Sequence, residues 1–253
     1  MIERHIKILD ILARNQRIEV AALADMLKVS KVTVRKDLAE LEDRGILHRE
    51  HGAAAIGSVD DVGRRMAYHY EVKRRIAQAA AELVEEGETV IIESGSCCAL
   101  LAEELTRTRR DITVITNSAF IANHIRLAPH GKIILLGGDY QAESQVMVGP
   151  ITRKCVEGFY TDKLFIGADG FIEKSGFTGK DHMRAETVRD MAKQARRVVI
   201  LTESEKFFHQ GVVPLMRTGE VSMVYTDDRI PPEIEGLLTE KQVIIHKVPA
   251  AAD

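Results

Sequence analysis

The chain has 253 residues, 45% of them hydrophobic, and its 35 Lys and Arg against 38 Asp and Glu give a formal net charge of −3. This length predicts a second domain besides any small module, and the weak negative charge excludes a protein that binds polyanions through bulk charge alone. The absence of an 18-residue apolar run and of an apolar leader argues against a membrane span or signal peptide and predicts a cytoplasmic protein. Three cysteines, Cys97, Cys98 and Cys155, have no disulfide or metal-ligand spacing, so no metal or cofactor is expected.

The first part of the chain has the order of a helix-turn-helix motif. Apolar residues recur at helical spacing over residues 6–12 and 20–27, and the turn Lys28-Val29-Ser30 precedes a third helix. Gly45 ends that helix, and residues 46–51 have the pattern of a strand. We therefore predict a winged helix-turn-helix domain over residues 1–56.

The third helix has an apolar side and a polar side. Ser30 can cap it, and Val34, Leu38 and Leu41 recur at i, i+4 and i+7. In such a motif this helix lies in the major groove and the wing lies on the backbone. The residues predicted to contact DNA are Ser30, Lys31, Thr33, Arg35, Lys36, Arg49 and His51.

The charge of this region supports DNA binding through its distribution. Residues 1–56 hold ten Lys and Arg against nine Asp and Glu. The basic residues cluster on the predicted reading side, whereas Glu40, Glu42 and Asp43 fall toward the far end of the helix. A merely solvated helix face is the alternative.

The remainder of the chain predicts a linker followed by an α/β domain. Residues 53–63 are small, flexible and without periodicity, which is typical of a linker, and the linker is predicted over residues 57–69. From Tyr70 a helix is predicted to run to Gly87, and helices and strands then alternate to residue 253, as in a mainly parallel sheet covered on both faces. The predicted strands are residues 90–92, 112–116, 133–136, 164–167, 198–201, 223–225 and 243–245.

Small and polar residues follow five of these strands. Ligands of parallel α/β sheets bind at the carboxyl ends of the strands, and a turn at a helix N-terminus suits a phosphate. Each turn alone could also simply be a turn or a helix cap. Together they predict a site for a phosphorylated sugar or polyol. The turns are residues 93–98, 116–118, 137–139, 167–170 and 202–207.

Two stretches of the chain resemble the DeoR family of bacterial sugar-metabolism repressors. The first is the pattern Ser30-x-x-Thr33-Val34-Arg35-Lys36-Asp37-Leu38 and the second is Leu41-Glu42-x-x-Gly45-x-Leu47-x-Arg49-x-His51-Gly52. Lys36 stands where the family usually has a second Arg, and Ala53 where it usually has a second Gly. Lysine still neutralises a phosphate but lacks the bidentate geometry of arginine.

The resemblance extends over nearly the whole chain and implies a C-terminal domain similar in fold to ribose-5-phosphate isomerase that senses a phosphorylated sugar. Cys97 departs from the usual threonine and Glu93 from the usual aspartate, while Glu205 adds a negative charge beside Lys206. Glu205 could pair with Lys206, point away, or indicate an effector with a hydroxyl or amine. The residues that the resemblance assigns to the effector are Glu93, Ser94, Gly95, Ser96, Cys97, Thr116, Asn117, Ser118, Gly137, Gly138, Asp169, Gly170 and Lys206.

The sequence thus predicts a DNA-binding repressor of a carbohydrate-utilisation operon, controlled by a phosphorylated sugar or sugar alcohol and acting as a dimer or tetramer. Two alternatives stay open, an isomerase-like enzyme with a DNA-binding head and a constitutive DNA-binding scaffold. Asp169 and Lys206 could serve proton transfer. However, Gly170 and Phe171 occupy the stretch where the isomerase family has a further Glu, which argues against catalysis, and no catalytic residue is predicted.

Overall fold

The computed structural model describes residues 2–58 and 60–250. Its N-terminal part consists of short strands and of helices that each have an apolar side. The chain divides into two units, one comprising residues up to Glu71 with Glu143–Gln145, and the other comprising Val72–Ala142 with the residues from Val146 onward. We call them the N-terminal and C-terminal domains. The elements of the N-terminal domain are α1 (Glu3–Asn15), β1 (Arg17–Glu19), α2 (Val20–Leu27), α3 (Lys31–Asp43), β2 (His48–Glu50), β3 (Ala53–Ala55) and α4 (Val62–Ala67).

The predicted apolar stripes form the core of the N-terminal domain. Leu12 of α1, Leu23 of α2, and Val34, Leu38 and Leu41 of α3 are completely buried. Because these side chains recur every three or four residues, each helix turns one face inward. The three predicted helices and their order are confirmed.

The wing is a three-stranded antiparallel sheet of order β1-β3-β2. The sequence predicted only the strand that contains residues 48–50, and it placed this strand over residues 46–51. Ile46 and Leu47 are instead buried ahead of the strand. The central strand β3 consists of three buried alanines, a residue with low strand propensity, and this explains why it was missed.

The segment of residues 57–69, predicted to be an irregular linker, contains helix α4. Asp61 caps this helix by accepting a hydrogen bond from the Arg64 amide at 2.8 Å, and Met66 is fully buried. A Cβ on Gly63 would lie 2.5 Å from the carbonyl oxygen of Gly45, so α4 packs directly on the turn after α3. The segment thus contains a capped and packed helix, which the linker prediction did not include.

Parallel strands and covering helices form the C-terminal domain. Two 3-10 helices, Ser204–Phe208 and Thr218–Glu220, add to it. Its other elements are α5 (Tyr70–Ala81, which begins in the N-terminal domain), β4 (Thr89–Ile92), α6 (Ser96–Thr108), β5 (Thr113–Thr116), α7 (Ala119–His124), β6 (Lys132–Leu135), β7 (Asp139–Gln141), β8 (Val146–Val148), α8 (Pro150–Val156), β9 (Thr161–Ile166), β10 (Gly170–Ile172), β11 (Gly176–Gly179), α9 (His182–Ala192), β12 (Ala195–Leu201), β13 (Val213–Met216), β14 (Met223–Asp227), α10 (Pro232–Glu240) and β15 (Ile244–Val248).

All seven predicted strands belong to one parallel sheet of order β15-β14-β12-β9-β4-β5-β6. Along one face, Leu164, Ile166 and Ile200 pack with Val188 and Met191 of α9. Helix α5 was predicted to end at Gly87, but it ends at Ala81. The predicted mainly parallel α/β domain is confirmed.

Two small antiparallel sheets were not predicted. They are the hairpin β7-β8 and the sheet β10-β11-β13. The rings of Phe171 and Phe177 pack edge to face at a centroid distance of 5.2 Å, and Phe207 packs on Phe171 at 5.8 Å. Since Phe207 is the neighbour of Lys206, this aromatic cluster fixes the segment that carries the lysine.

Candidate functional site

The N-terminus of α3 is held by its own hydroxyl side chains. Ser30 Oγ accepts a hydrogen bond from the Thr33 amide at 3.1 Å and lies 2.9 Å from Thr33 Oγ1. Ser30 is therefore the predicted cap of the helix. Both hydroxyls that were predicted to contact DNA already serve this turn.

Three basic side chains of α3 form an exposed surface, which we call the basic face. Lys31, Arg35 and Lys36 are exposed and lie outside the buried stripe. Within residues 2–58 and 60–250, none of the three takes part in an ion pair. Unbalanced cations on an exposed helix attract phosphate groups, and this arrangement supports their predicted role.

Arg49 of the wing is bound to Glu42 of α3. Its amide donates to Glu42 Oε1 at 2.8 Å and its Nε donates to Glu42 Oε2 at 2.5 Å. Although burial acts to raise the pKa of Glu42, these bonds lower it. Glu42 lies at the far end of α3, as expected, and its carboxylate balances the charge of Arg49. His51 is exposed in the turn between β2 and β3.

Asp37 joins α3 to α1, a contact that the sequence analysis missed. Arg4 donates from Nε and Nη2 to the two carboxylate oxygens of Asp37, at 2.5 and 2.8 Å. His5 Nε2 lies 3.3 Å from Asp37 Oδ1. The bonds from Arg4 hold the pKa of the buried Asp37 below its usual value. This bidentate pair fixes the orientation of α3 within the N-terminal domain.

In the C-terminal domain, the strand order reverses between β4 and β9. Such a reversal opens a crevice at the carboxyl ends of the strands, where α/β proteins bind ligands. A Cβ on Gly95 would lie 3.8 Å from the Cα of Gly167, so the loops after the two strands face each other closely. We call this place the switch-point edge.

The loop after β4 leads directly into α6. Glu93 and Ser94 are buried, and Ser94 Oγ donates to Glu93 Oε1 at 2.5 Å. Gly95 occupies the capping position without a capping side chain, and Ser96 is half-buried at the first position of the helix. Uncapped amides at the start of a 13-residue helix favour an anion.

A buried ion pair lies beside this helix start. Lys73 Nζ of α5 is 3.0 Å from Glu203 Oε1, and both side chains are more than nine-tenths buried. Burial acts to raise the pKa of Glu203, but the charges of Lys73 and Lys206 outweigh it and lower the pKa. Lys73 was not among the predicted site residues, because a helical lysine in a basic run is usually solvated.

The thiol of Cys97 points into the same cluster. Its Sγ donates to Glu203 Oε2 over 3.9 Å. Burial, with the Glu203 charge beside it, raises the pKa of Cys97 well above its usual value. Cys97 is therefore a neutral thiol that contacts a carboxylate, where a threonine was expected from the resemblance.

The polar side chains after β5 mostly serve their own turn. Thr116 Oγ1 accepts from the Ser118 amide at 3.1 Å, and Ser118 Oγ caps α7 by accepting from the Ile121 amide at 3.2 Å. Asn117 Nδ2 donates to the Met147 carbonyl at 2.9 Å. Asn117 Oδ1 is buried without a hydrogen-bond partner among the described residues. Of these three residues, Asn117 has the acceptor still available to a ligand.

The two glycines after β6 have different surroundings. A Cβ on Gly138 would collide with Thr152 Oγ1 and lie 2.7 Å from the Val148 carbonyl, whereas a Cβ on Gly137 would meet nothing within 4 Å. Thr152 Oγ1 also donates to the Gly137 carbonyl at 2.8 Å. Gly138 is therefore required for packing, and Gly137 lies at an open position.

This difference predicts opposite outcomes for two alanine substitutions. Gly138→Ala should lower the free energy of unfolding by about 1–3 kcal/mol, because a methyl group must displace Thr152. Gly137→Ala should change it by less than about 0.5 kcal/mol. Urea unfolding of the full chain measures both, and equal stabilities of the two variants would contradict the packing role of Gly138.

The loop after β9 and the 3-10 helix after β12 carry the last predicted residues. Asp169 and Lys206 are half-buried. A Cβ on Gly170 would collide with the His209 carbonyl and lie 2.9 Å from the Gly211 amide nitrogen, so Gly170 serves packing. Glu205 is exposed, with Oε1 3.4 Å from His209 Nε2.

Two kinds of feature are absent from the described part of the chain. None of the helices there is long and apolar enough to cross a membrane. Nor do residues 2–58 and 60–250 contain a group of three or more His, Cys, Asp or Glu that could hold a metal ion.

Comparison with known families matches both domains. Residues 4–59 match the DeoR-like helix-turn-helix domain, and residues 68–228 match the DeoR C-terminal sensor domain. The chain belongs to the DeoR family. It is a DNA-binding transcriptional regulator with an N-terminal winged helix-turn-helix domain and a C-terminal sensor domain.

Named relatives of this DeoR-family protein are regulators. It is 30% identical to the HTH-type transcriptional regulator GolR of Listeria innocua, over 90% of this chain and 91% of that protein. It is 27% identical to the glycerol-3-phosphate regulon repressor of Escherichia coli K12, over 95% and 96% of the two chains. Among solved structures, ribose 5-phosphate isomerase A of Methanocaldococcus jannaschii is similar, with a TM-score of 0.41, 18% identity and 55% of each chain covered.

Proposed function

We propose that this DeoR-family regulator represses a carbohydrate-utilisation operon and that a phosphorylated sugar or sugar alcohol at the switch-point edge changes its affinity for the operator. The observation that carries this proposal is that Lys73 and Lys206 both act on Glu203, which contacts the uncapped start of α6 where the strand order reverses. The names of its relatives, among them a glycerol-3-phosphate regulon repressor, agree with such a ligand. Because its target is DNA, we place the protein in the cytoplasm.

The phosphate would bind to the first turn of α6. The amides of Ser96 and Cys97, the Ser96 hydroxyl and the Lys206 ammonium supply the positive side of that site. Because a thiol is a poor hydrogen-bond donor, Cys97 would contribute its backbone amide. Lys73 of α5 would contribute through its ion pair with Glu203, which lies beside this site.

The polyol part of the effector would lie along the neighbouring loops. Asp169 can accept hydrogen bonds from sugar hydroxyls, and the unsatisfied Asn117 Oδ1 can accept another. Gly137 leaves space beside them. Glu93 and Ser94 would support the phosphate loop from beneath, since they bond to each other.

On the DNA side, the basic face of α3 would enter the major groove. Arg35 is suited to a guanine edge, and Lys31 and Lys36 to phosphates or bases. The Ser30 and Thr33 hydroxyls would hold the start of α3. Arg49 would position the wing on the DNA backbone, and His51 at the tip of the wing would also contact that backbone. A dimer or tetramer would place two such helices in successive major grooves.

Effector binding and operator binding would then be coupled because each favours one of two conformations of the protein. A coupling free energy of about 1–3 kcal/mol changes operator affinity by roughly 5- to 150-fold. This range is sufficient to switch transcription.

Fluorescence anisotropy tests the proposal as a whole. The purified full-length protein is titrated onto labelled DNA from upstream of its own gene neighbourhood, with and without a panel of phosphorylated sugars and sugar alcohols. We expect tight, salt-sensitive binding that one class of compound changes by at least about fivefold. Binding that ignores every compound would reject the sensor role, and absence of specific binding would reject the regulatory role on this DNA.

Lys206→Ala is expected to bind the operator normally and to lose its response to the effector. Removal of a charge-assisted hydrogen bond should weaken effector binding by about tenfold or more. Asp169→Ala should weaken it through the hydroxyl contacts. Isothermal titration calorimetry of the effector and anisotropy on the operator measure the two properties separately.

The matched control for Lys206 is Lys174→Ala, which removes an exposed lysine from the turn between β10 and β11. It should retain the effector affinity of the wild type. A normal effector response of Lys206→Ala would remove this lysine from the proposed site.

A further inference from the structure

Val32 is a large apolar side chain exposed on the recognition helix. It is the second residue of α3, and 73% of its surface is accessible, whereas Val34 in the same helix is fully buried. Burial of apolar surface is favourable, so a valine this exposed has no role in the core of its domain. Its position makes it available to a partner.

The residues around Val32 identify the chemistry of that partner. Lys31 precedes it, and Arg35 and Lys36 lie three and four positions further, on the same side of the helix. All three are exposed cations of the basic face. A partner that covers Val32 therefore meets three positive charges at once, which fits the major groove of DNA.

The position of Val32 within the helix indicates which part of the DNA it contacts. Recognition helices contact base edges mainly with their N-terminal residues, and Val32 is in the first turn, two residues after the Ser30 cap. An isopropyl group can neither donate nor accept a hydrogen bond. In the major groove, the apolar group available to such a side chain is the 5-methyl group of thymine.

We propose that Val32 packs against the 5-methyl group of a thymine in each operator half-site and thereby determines specificity at that base pair. This proposal rests on the proposed function, because it requires that α3 enter the major groove. The proposal assigns thymine to one base pair of the operator, whereas the charged residues of α3 do not identify a base there. Lys31, Arg35 and Lys36 would fix the register of the contact.

Removal of a single methyl group from the DNA tests the contact. Each thymine of the operator half-site is replaced in turn by deoxyuridine, which differs from thymidine only in that methyl group. We expect the wild-type protein to lose about 3- to 10-fold in affinity at one thymine per half-site. In Val32→Ala, the same replacement should change affinity by less than about twofold, because the partner of the methyl group is gone.

Met26→Ala is the matched control, since Met26 is a second exposed apolar side chain of the same domain, on α2. It should keep the full deoxyuridine penalty. Replacing the selected thymine by cytosine should weaken wild-type binding, and 5-methylcytosine at that position should recover part of the loss.

The outcomes separate this inference from the proposed function. Failure of the wild-type protein to bind operator DNA rejects the regulatory role. Normal operator binding with no deoxyuridine penalty at any thymine, or with the same penalty in Val32→Ala, overturns only the Val32 contact. Circular dichroism of Val32→Ala is expected to match the wild type, because the side chain is exposed.

Discussion

Arg35→Ala is expected to abolish specific operator binding while leaving the sensor domain folded and able to bind its effector. Arg35 is exposed on the basic face and has no acidic partner among the described residues, so its five N–H donors are available to a guanine edge. One bidentate contact is worth about 1–3 kcal/mol. Two half-sites bound at once would double this loss to about 2–6 kcal/mol, which corresponds to about 30-fold to 2 × 10⁴-fold in affinity.

Gel-shift and anisotropy titrations on the operator and on an unrelated duplex measure this effect. Arg14→Ala is the control, because it removes an exposed arginine at the end of α1 and tests whether any loss of positive charge suffices. Arg35→Ala should lose specific binding and retain weak, salt-sensitive binding to both duplexes. Retention of tight binding to the operator alone would exclude Arg35 from the reading residues.

Lys73→Met is expected to destabilise the sensor domain by about 3–5 kcal/mol, because it leaves the buried Glu203 carboxylate without its ion-pair partner. Chemical unfolding of the full chain, followed by circular dichroism, measures the change. The double variant Lys73→Met with Glu203→Gln should recover most of the loss, since neither charge then remains buried.

The control for this pair is Lys193→Met, which breaks a surface ion pair with Asp190 whose atoms are 2.7 Å apart. Exposed pairs contribute about 0–1 kcal/mol, so this variant should stay within about 1 kcal/mol of the wild type. If Lys73→Met lowers the free energy of unfolding no more than Lys193→Met does, the buried pair of Lys73 and Glu203 contributes no more to stability than an exposed pair. Absence of recovery in the double variant would show that Lys73 stabilises the domain through other contacts.

The parallel sheet could be predicted because its strands are short apolar runs between helices. All seven predicted segments are strands of that sheet. The seven other strands that were missed have three or four residues each, too few to show alternation. Strand β3 is made only of alanine, and β11 has glycine at both ends, so pairing in the folded chain rather than local propensity makes them strands.

The position of the candidate loops at the carboxyl edge could be predicted for a similar reason, since that edge of a parallel sheet follows from the strand positions alone. What could not be predicted is which side chains face that edge. Lys73 and Asp37 have the pattern of ordinary helical charges, and their partners Glu203 and Arg4 are remote in sequence or belong to another helix. Conversely, Gly138 and Gly170 were assigned to the effector, although the structure shows that they are needed for packing.

The Lys73 and Glu203 pair has a consequence for selectivity. Because Glu203 lies within the influence of both Lys73 and Lys206, the three groups together would present only one surplus positive charge to a dianion at the start of α6. One such charge and a helix dipole give only modest affinity for a bare anion. We expect inorganic phosphate to bind weakly and a phosphate ester to depend on its carbon skeleton for the rest of its affinity. The regulator would thus respond to the cell's carbon supply and remain insensitive to its phosphate supply.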